Sequence, residues 1–137
     1  MVDLGGRPVD GCWPIGLDEP SVPMVLFRHD MPSGDQHYDL FVAREPDGRL
    51  PLWSLRCESR LDHIEQGLIK VTRTSDHSPR WLRETDCVVS GGRGRAVRIA
   101  VGRFSHGDPV GPMVSWEGGG CQRWRWAAAG LLIERVE

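Results

Sequence analysis

Apolar and polar residues alternate along most of this chain in runs too short for stable helices, and turn-forming residues separate the runs. The first runs are Val22 to Arg28, His37 to Arg44, Leu50 to Arg56 and Gly67 to Thr74. Asp86 to Ser90, Arg95 to Phe104, Met113 to Trp116, Cys121 to Ala127 and Leu131 to Val136 continue the series. Between the second and third runs, Glu45-Pro46-Asp47-Gly48 has proline second and glycine fourth, which predicts a type I or II turn and hence a hairpin. Gly91-Gly92-Arg93-Gly94 and Gly118-Gly119-Gly120 read as further hairpin turns. The first of these lacks the lysine and following helix of a phosphate-cradling loop. Ser59 to Gly67 allows one helical turn or a loop, and there are no heptads, repeats or low-complexity tracts. The pattern predicts an all-β fold, a barrel or sandwich with short helical or irregular connectors.

Residues 1–20 carry too many glycines and prolines for a helix or long strand, so they are expected to form an irregular arm, with residues 21–137 as the folded domain. Trp13 and Ile15 are expected to dock this arm on the domain, because large apolar groups are disfavoured in water. A length of 137 residues fits one domain with a single core. The net charge of −2 argues against a protein held to nucleic acid by bulk electrostatics. The arginines are grouped, however: Arg56 and Arg60; Arg73; Arg80 and Arg83; Arg93, Arg95 and Arg98; Arg123 and Arg125. Cys12, Cys57, Cys87 and Cys121 show no metal or redox spacing and read as free thiols. Neither a leader peptide nor a membrane span is visible, which predicts a cytoplasmic protein.

The chemistry concentrates in one segment. In a strand, His37 and Asp39 leave on one face while Tyr38 and Leu40 leave on the other. A hairpin through Pro32-Ser33-Gly34-Asp35 would bring His29 back beside His37. Two imidazoles and a carboxylate suit a divalent ion such as Mn²⁺ or Zn²⁺, with room for water or a substrate oxygen; a hydrogen-bonded or solvated HxD pair is the plainer alternative. His63 and His106 lie outside the pattern and read as surface residues. Trp116, Trp124 and Trp126 read as core, with Trp124 and Trp126 sharing a face.

His29-Asp30, His37-Tyr38-Asp39-Leu40, Leu52-Trp53-Ser54-Leu55, Asp76-His77-Ser78-Pro79 and the glycine-rich Val88 to Gly94 segment follow one another in an order that resembles the 3′-phosphoesterase domain associated with bacterial DNA ligase D, over about residues 22 to 105. The resemblance implies a compact closed or partly open β-barrel, with a groove that binds a divalent metal and trims 3′ ends of DNA or primer strands in DNA repair. His29, His37 and Asp39 then match the metal ligands, and His77 the histidine that assists at the phosphate, so that His77, His37 and Asp39 form the catalytic set. The chain departs from the family pattern in three places. Phe41 stands where the family has arginine, Trp81 stands where it has tyrosine, and the interval between His29 and His37 is two residues longer. Arg44, Arg56 and Lys70 are candidates to replace the missing cation, and Trp81 to stack on a base. If that cation limits the rate, Phe41→Arg should raise activity. The implied partners are primer-template 3′ ends together with ligase or polymerase repair proteins, and no membrane. Two other readings stand beside the enzyme: a catalytically weak module that binds nucleic-acid ends, favoured by Phe41 and Trp81, and a scaffold of a repair complex.

Overall fold

The computed structural model describes residues 13–107 and 110–136. It is all-β, with ten strands: β1 (Val22–Asp30), β2 (Gln36–Val42), β3 (Leu52–Cys57), β4 (Gln66–Ile69), β5 (Val71–His77), β6 (Asp86–Val88), β7 (Arg95–Ser105), β8 (Met113–Trp116), β9 (Cys121–Ala127) and β10 (Gly130–Val136). Two 3₁₀ turns, Leu61–His63 and Pro79–Leu82, interrupt them. The first falls where a helical turn was expected. The second starts at Ser78, whose Oγ accepts the Arg80 N–H, a local cap the strand pattern does not reveal.

All pairings are antiparallel, in the order β4-β10-β9-β8-β7-β1-β2-β3-β5, with β6 on the free edge of the first part of β7. The first and last strands of this order, β4 and β5, are consecutive in sequence with only Lys70 between them. The sheet therefore curls until its two ends share a corner at Lys70 without pairing to each other, as in a partly open barrel. Here the expected single run Gly67 to Thr74 is in fact two strands. It changes partner at Lys70, from β10 to β3, because this is the corner where the curl closes. The turn expected at Glu45 to Gly48 is present, with the Gly48 N–H bonded to the Glu45 carbonyl.

Strand register sorts the core into two layers. Met24 faces Val42, Leu26 faces Leu40, Leu40 faces Leu55, Val42 faces Trp53, Phe104 faces Val22 and Val114, and Trp124 faces Ile133. These side chains are buried on the barrel's inner face. The alternate positions of β1 to β3, namely Val25, Phe27, His29, Phe41 and Ser54, leave on the outer face, yet they are buried as well. The Pro79–Leu82 turn covers them: Trp81 meets Phe27 edge-on at 5.3 Å between centroids and stacks on Phe41 at 5.6 Å. Burial on both faces explains why Val22 to Phe27 is an unbroken apolar run instead of an alternating one.

Among the described residues, the polar side chain of Gln122 lies inside the barrel. The Gln122 amide donates to the carbonyls of Leu61 and Ile64 at 2.8 and 3.0 Å, and its oxygen accepts the indole N–H groups of Trp116 and Trp124 at 2.9 and 3.0 Å. All four of its hydrogen-bonding sites are used, so the group fixes the Leu61–His63 turn across the barrel end at little desolvation cost. The opposite docking, of the arm, follows expectation. Trp13 stacks on Trp126 at 4.8 Å and Ile15 is buried. His106, expected on the surface, instead holds this arm: its Nδ1 lies 3.2 Å from the Ile15 carbonyl, and its own carbonyl accepts the Asp18 N–H. Residues 1–12 of the arm, with Cys12, lie outside the described residues. Cys57, Cys87 and Cys121 are free thiols. Among the described residues no helix is long and apolar enough to cross a membrane.

Candidate functional site

The β1–β2 hairpin places His29 directly opposite His37, and Asp39 opposite Phe27, all on the outer face. The turn between them is closed by Met31 N–H to the Asp35 carbonyl at 2.8 Å and Gly34 N–H to the Met31 carbonyl at 2.9 Å, with Gly34 at φ 93°. Residues 31–35 are thus taken up in the turn, and His29 stands in register with His37 in the ladder.

Three side-chain atoms converge. His29 Nδ1 lies 3.1 Å from His37 Nε2, and Asp39 Oδ2 lies 3.3 Å from His37 Nε2 and 3.6 Å from His29 Nδ1. An ion bonded at roughly 2.0–2.1 Å in tetrahedral geometry spaces its ligands about 3.3 Å apart, so this triangle has the size of three corners of such a shell. His29 Nε2 is 2.6 Å from the Arg93 carbonyl, which can only accept, so Nε2 carries the proton and Nδ1 presents its lone pair. The Gly91 to Gly94 segment does form the expected turn, and its chemical contribution is this backbone oxygen. Burial pushes the His37 imidazole below its ordinary pKa, helped by the nearby Arg56 and His29 and opposed by Asp39. His37 is therefore neutral at pH 7, the form in which imidazole binds metal. The chemistry and spacing of the trio fit a divalent ion with borderline nitrogen and oxygen preference.

Beside the trio is a cavity of about 170 Å³. Phe27, Phe41, Trp81 and Val89 form its apolar walls, His29, Asp39 and His77 its titratable ones, and Arg56, Arg80 and Arg93 supply cations. An open trough of about 540 Å³ adjoins it, lined by His37, Arg56, Lys70 and Thr72 among others, so Arg56 borders both spaces.

The remaining sequence candidates fall out as follows. His77, at the end of β5, stands apart from the ligand trio on the cavity wall, its ring against Phe41 at 4.8 Å and its Nδ1 2.9 Å from Ser54 Oγ. Arg56 reaches the site, with Nε 3.6 Å from Asp39 Oδ1. Lys70 reaches the trough only. Arg44 forms a two-bonded ion pair with Asp76 at 3.0 and 3.2 Å and is not a wall of the cavity. Trp81 lines the cavity under the Arg80 guanidinium, 4.9 Å from the ring centroid. Sequence reasoning did not single out Arg80, Arg93 or Ser54. The two arginines stood in the grouped clusters, but only the folding of their segments over β1 and β2 brings them here.

Two other features lack this combination of groups. Burial pushes the Cys57 thiol far up, so it is no nucleophile at neutral pH. A cavity of about 440 Å³ at the barrel end has one imidazole, His63, in its lining, beside Arg60 paired with Asp62 at 2.9 Å and Arg135 paired with Glu65 at 3.2 Å.

Comparison with protein-family models, curated proteins and solved structures finds no match to this chain. The chemistry of the site is therefore inferred from its own geometry.

Proposed function

We propose that this chain is a divalent-metal-dependent phosphoesterase that processes the 3′ ends of nucleic-acid strands, a hydrolase of DNA repair. The observation that carries the reading is the triangle of His29 Nδ1, His37 Nε2 and Asp39 Oδ2, at 3.1 to 3.6 Å, beside a cavity that also holds His77 and three guanidinium groups. Paired imidazoles and a carboxylate hold a cation, and guanidinium groups around the same cavity hold the oxygens of a phosphate. Bound there, Mn²⁺ or Zn²⁺ supplies Lewis-acid polarisation of a phosphoryl oxygen.

The chain's own residues divide the rest of the work. Arg56, Arg80 and Arg93 bind and orient the phosphoryl group, taking the part of the arginine replaced by Phe41. His77 gives a proton to the departing ester oxygen, the 3′ oxygen of a terminal phosphate or the 5′ oxygen of a terminal ribonucleoside, as the phosphorus–oxygen bond breaks and a water oxygen bonds to phosphorus. Phe27, Phe41 and Trp81 keep bulk water from the cavity, which strengthens each charged contact inside it. The strand leading to the end lies along the trough, with Arg56 and Lys70 beside its backbone.

The test is release of the end group from a labelled primer-template carrying a terminal ribonucleotide or a 3′ phosphate, with Mn²⁺, with Zn²⁺ and with chelator. Release should require metal and be lost in His37→Ala, and His77→Ala should lower the rate by about 10²-fold or more. A second reading, an end-binding module without turnover, is favoured by the stacked pair Phe41 and Trp81, whose faces suit bases. Primer binding without release in any divalent metal would select it. Absence of both would leave the scaffold reading, with ligase or polymerase proteins as partners.

A further inference from the structure

His77 and Ser54 are joined by a hydrogen bond whose direction can be worked out from the donors available. Ser54 is buried at the centre of β3, on the outer face, and its hydroxyl donates to the Leu52 carbonyl at 3.1 Å. A hydroxyl has one hydrogen, and a carbonyl cannot donate, so where the Leu52 bond is made that hydrogen is used there. Toward His77, 2.9 Å away, Ser54 Oγ can then act only as an acceptor, and His77 Nδ1 must carry the proton. The other ring nitrogen, Nε2, is left as the group through which His77 meets whatever occupies the cavity.

We propose that Ser54 is a positioning residue that holds the neutral His77 imidazole in its Nδ1–H tautomer and aims Nε2 at the phosphate; as to the phosphate, the inference rests on the function proposed above. In free imidazole side chains the Nε2–H tautomer is the favoured one, so the Ser54 contact reverses the ordinary preference. Nε2 takes up a proton from solvent to become the acid and returns to a bare nitrogen after each proton transfer. Neither change disturbs the Nδ1–H to Ser54 bond, so the ring keeps one orientation through the cycle. Phe41, packed against the ring, removes the alternative of rotating it. The arrangement parallels His29, where the Arg93 carbonyl commits Nε2–H and frees Nδ1. One histidine is thus set to offer Nδ1 to the ligand cluster and the other to offer Nε2 to the cavity.

The experiment is long-range ¹H–¹⁵N NMR of the side-chain nitrogens of His77 in the metal-free protein, above the pH at which the ring is neutral, for the native chain, Ser54→Ala and Ser54→Thr. The native spectrum should show a protonated Nδ1 and a bare Nε2. Ser54→Ala should shift the population toward Nε2–H, and Ser54→Thr, which keeps the hydroxyl, should restore the native pattern. A native His77 already in the Nε2–H form, or an unchanged tautomer in Ser54→Ala, overturns the inference. This readout needs no substrate, so it decides the tautomer even if the chain proves to have no phosphoesterase activity, which would overturn the functional reading alone. Where the native chain is active, Ser54→Ala should lower kcat about tenfold with KM and metal affinity unchanged, and Ser54→Thr should recover most of that rate. Equal kcat in Ser54→Ala and native protein would exclude the positioning role.

Discussion

Gly94→Ala tests whether the glycine-rich turn matters to the ligand cluster through its backbone. Gly94 has φ +92°, a region that side chains disfavour, and a Cβ there would run into the Asp30 carbonyl oxygen at the end of β1. The left-handed conformation costs about 1–2 kcal/mol for a residue with a Cβ. The collision is with backbone, so it cannot be relieved by a rotamer change, and it forces the turn off β1, taking the Arg93 carbonyl away from His29 Nε2. Losing that hydrogen bond adds about 1 kcal/mol. The sum, about 2–3 kcal/mol, is smaller than the usual 5–15 kcal/mol of a folded domain, so the variant should fold. Without its outer partner, His29 is free to rotate and to change tautomer, and second-sphere losses of this kind typically lower metal affinity by about 10–100-fold. Titration calorimetry with Mn²⁺ or Zn²⁺ and urea unfolding, run on the same preparations, measure the two effects. Gly92→Ala is the control: Gly92 also has positive φ, +68°, but nothing lies within 4 Å of its Cβ position. It should lose stability to strain and keep native metal affinity. If Gly94→Ala binds metal within about twofold of the native protein while losing stability, the carbonyl does not orient His29, and the reasoning from Arg93 fails.

Three other outcomes follow from the packing. Gln122→Leu leaves two indole N–H groups and two carbonyls inside the barrel without their partners, and at about 1–3 kcal/mol for an unsatisfied buried group the loss should reach about 4 kcal/mol or more; a urea-unfolding change under 1 kcal/mol would show that water replaces the amide. Phe41→Arg should cost about 3 kcal/mol, because Phe41 is 3% exposed and packed on Phe27, His77 and Trp81, and should raise hydrolysis less than about tenfold, since three guanidinium groups already line the cavity. A gain near 100-fold would mean those arginines do not reach the phosphate. The depressed His37 pKa contributes to acid sensitivity: above about pH 6.5 both folded and unfolded forms are neutral, whereas below it the unfolded chain binds the proton first, so stability falls until the pH passes the folded value. Urea midpoints of the metal-free protein between pH 8 and 5 should drop more for native protein than for His37→Gln, and parallel curves would contradict the shift.

The strand pattern and the convergence of His29, His37 and Asp39 were legible because both depend on short-range geometry. Period-two alternation sets His37 and Asp39 on one face, and a hairpin with turn formers at Ser33 and Gly34 returns His29 to His37, whatever the rest of the chain does. The strand boundaries around Lys70 were not legible, since an unbroken run of strand-forming residues does not show where a curling sheet changes partner.

What the sequence by itself determined, then, is an all-β chain and the convergence of three side chains, His29, His37 and Asp39, through periodicity and turn chemistry that act within about fifteen residues. Only the tertiary structure decided the rest: that the trio lies on the barrel's outer wall, that Arg56, Arg80 and Arg93 stand around the cavity while Arg44 pairs with Asp76, that the Arg93 carbonyl meets one nitrogen of His29, and that Ser54 Oγ meets one of His77. The physical reason is that alternation tells which face a side chain leaves by but not what covers that face. The cover comes from the Pro79–Leu82 turn and the β6–β7 hairpin, segments far along the chain that are held in place by the curl of the sheet and by the burial of Trp81 on Phe27 and Phe41.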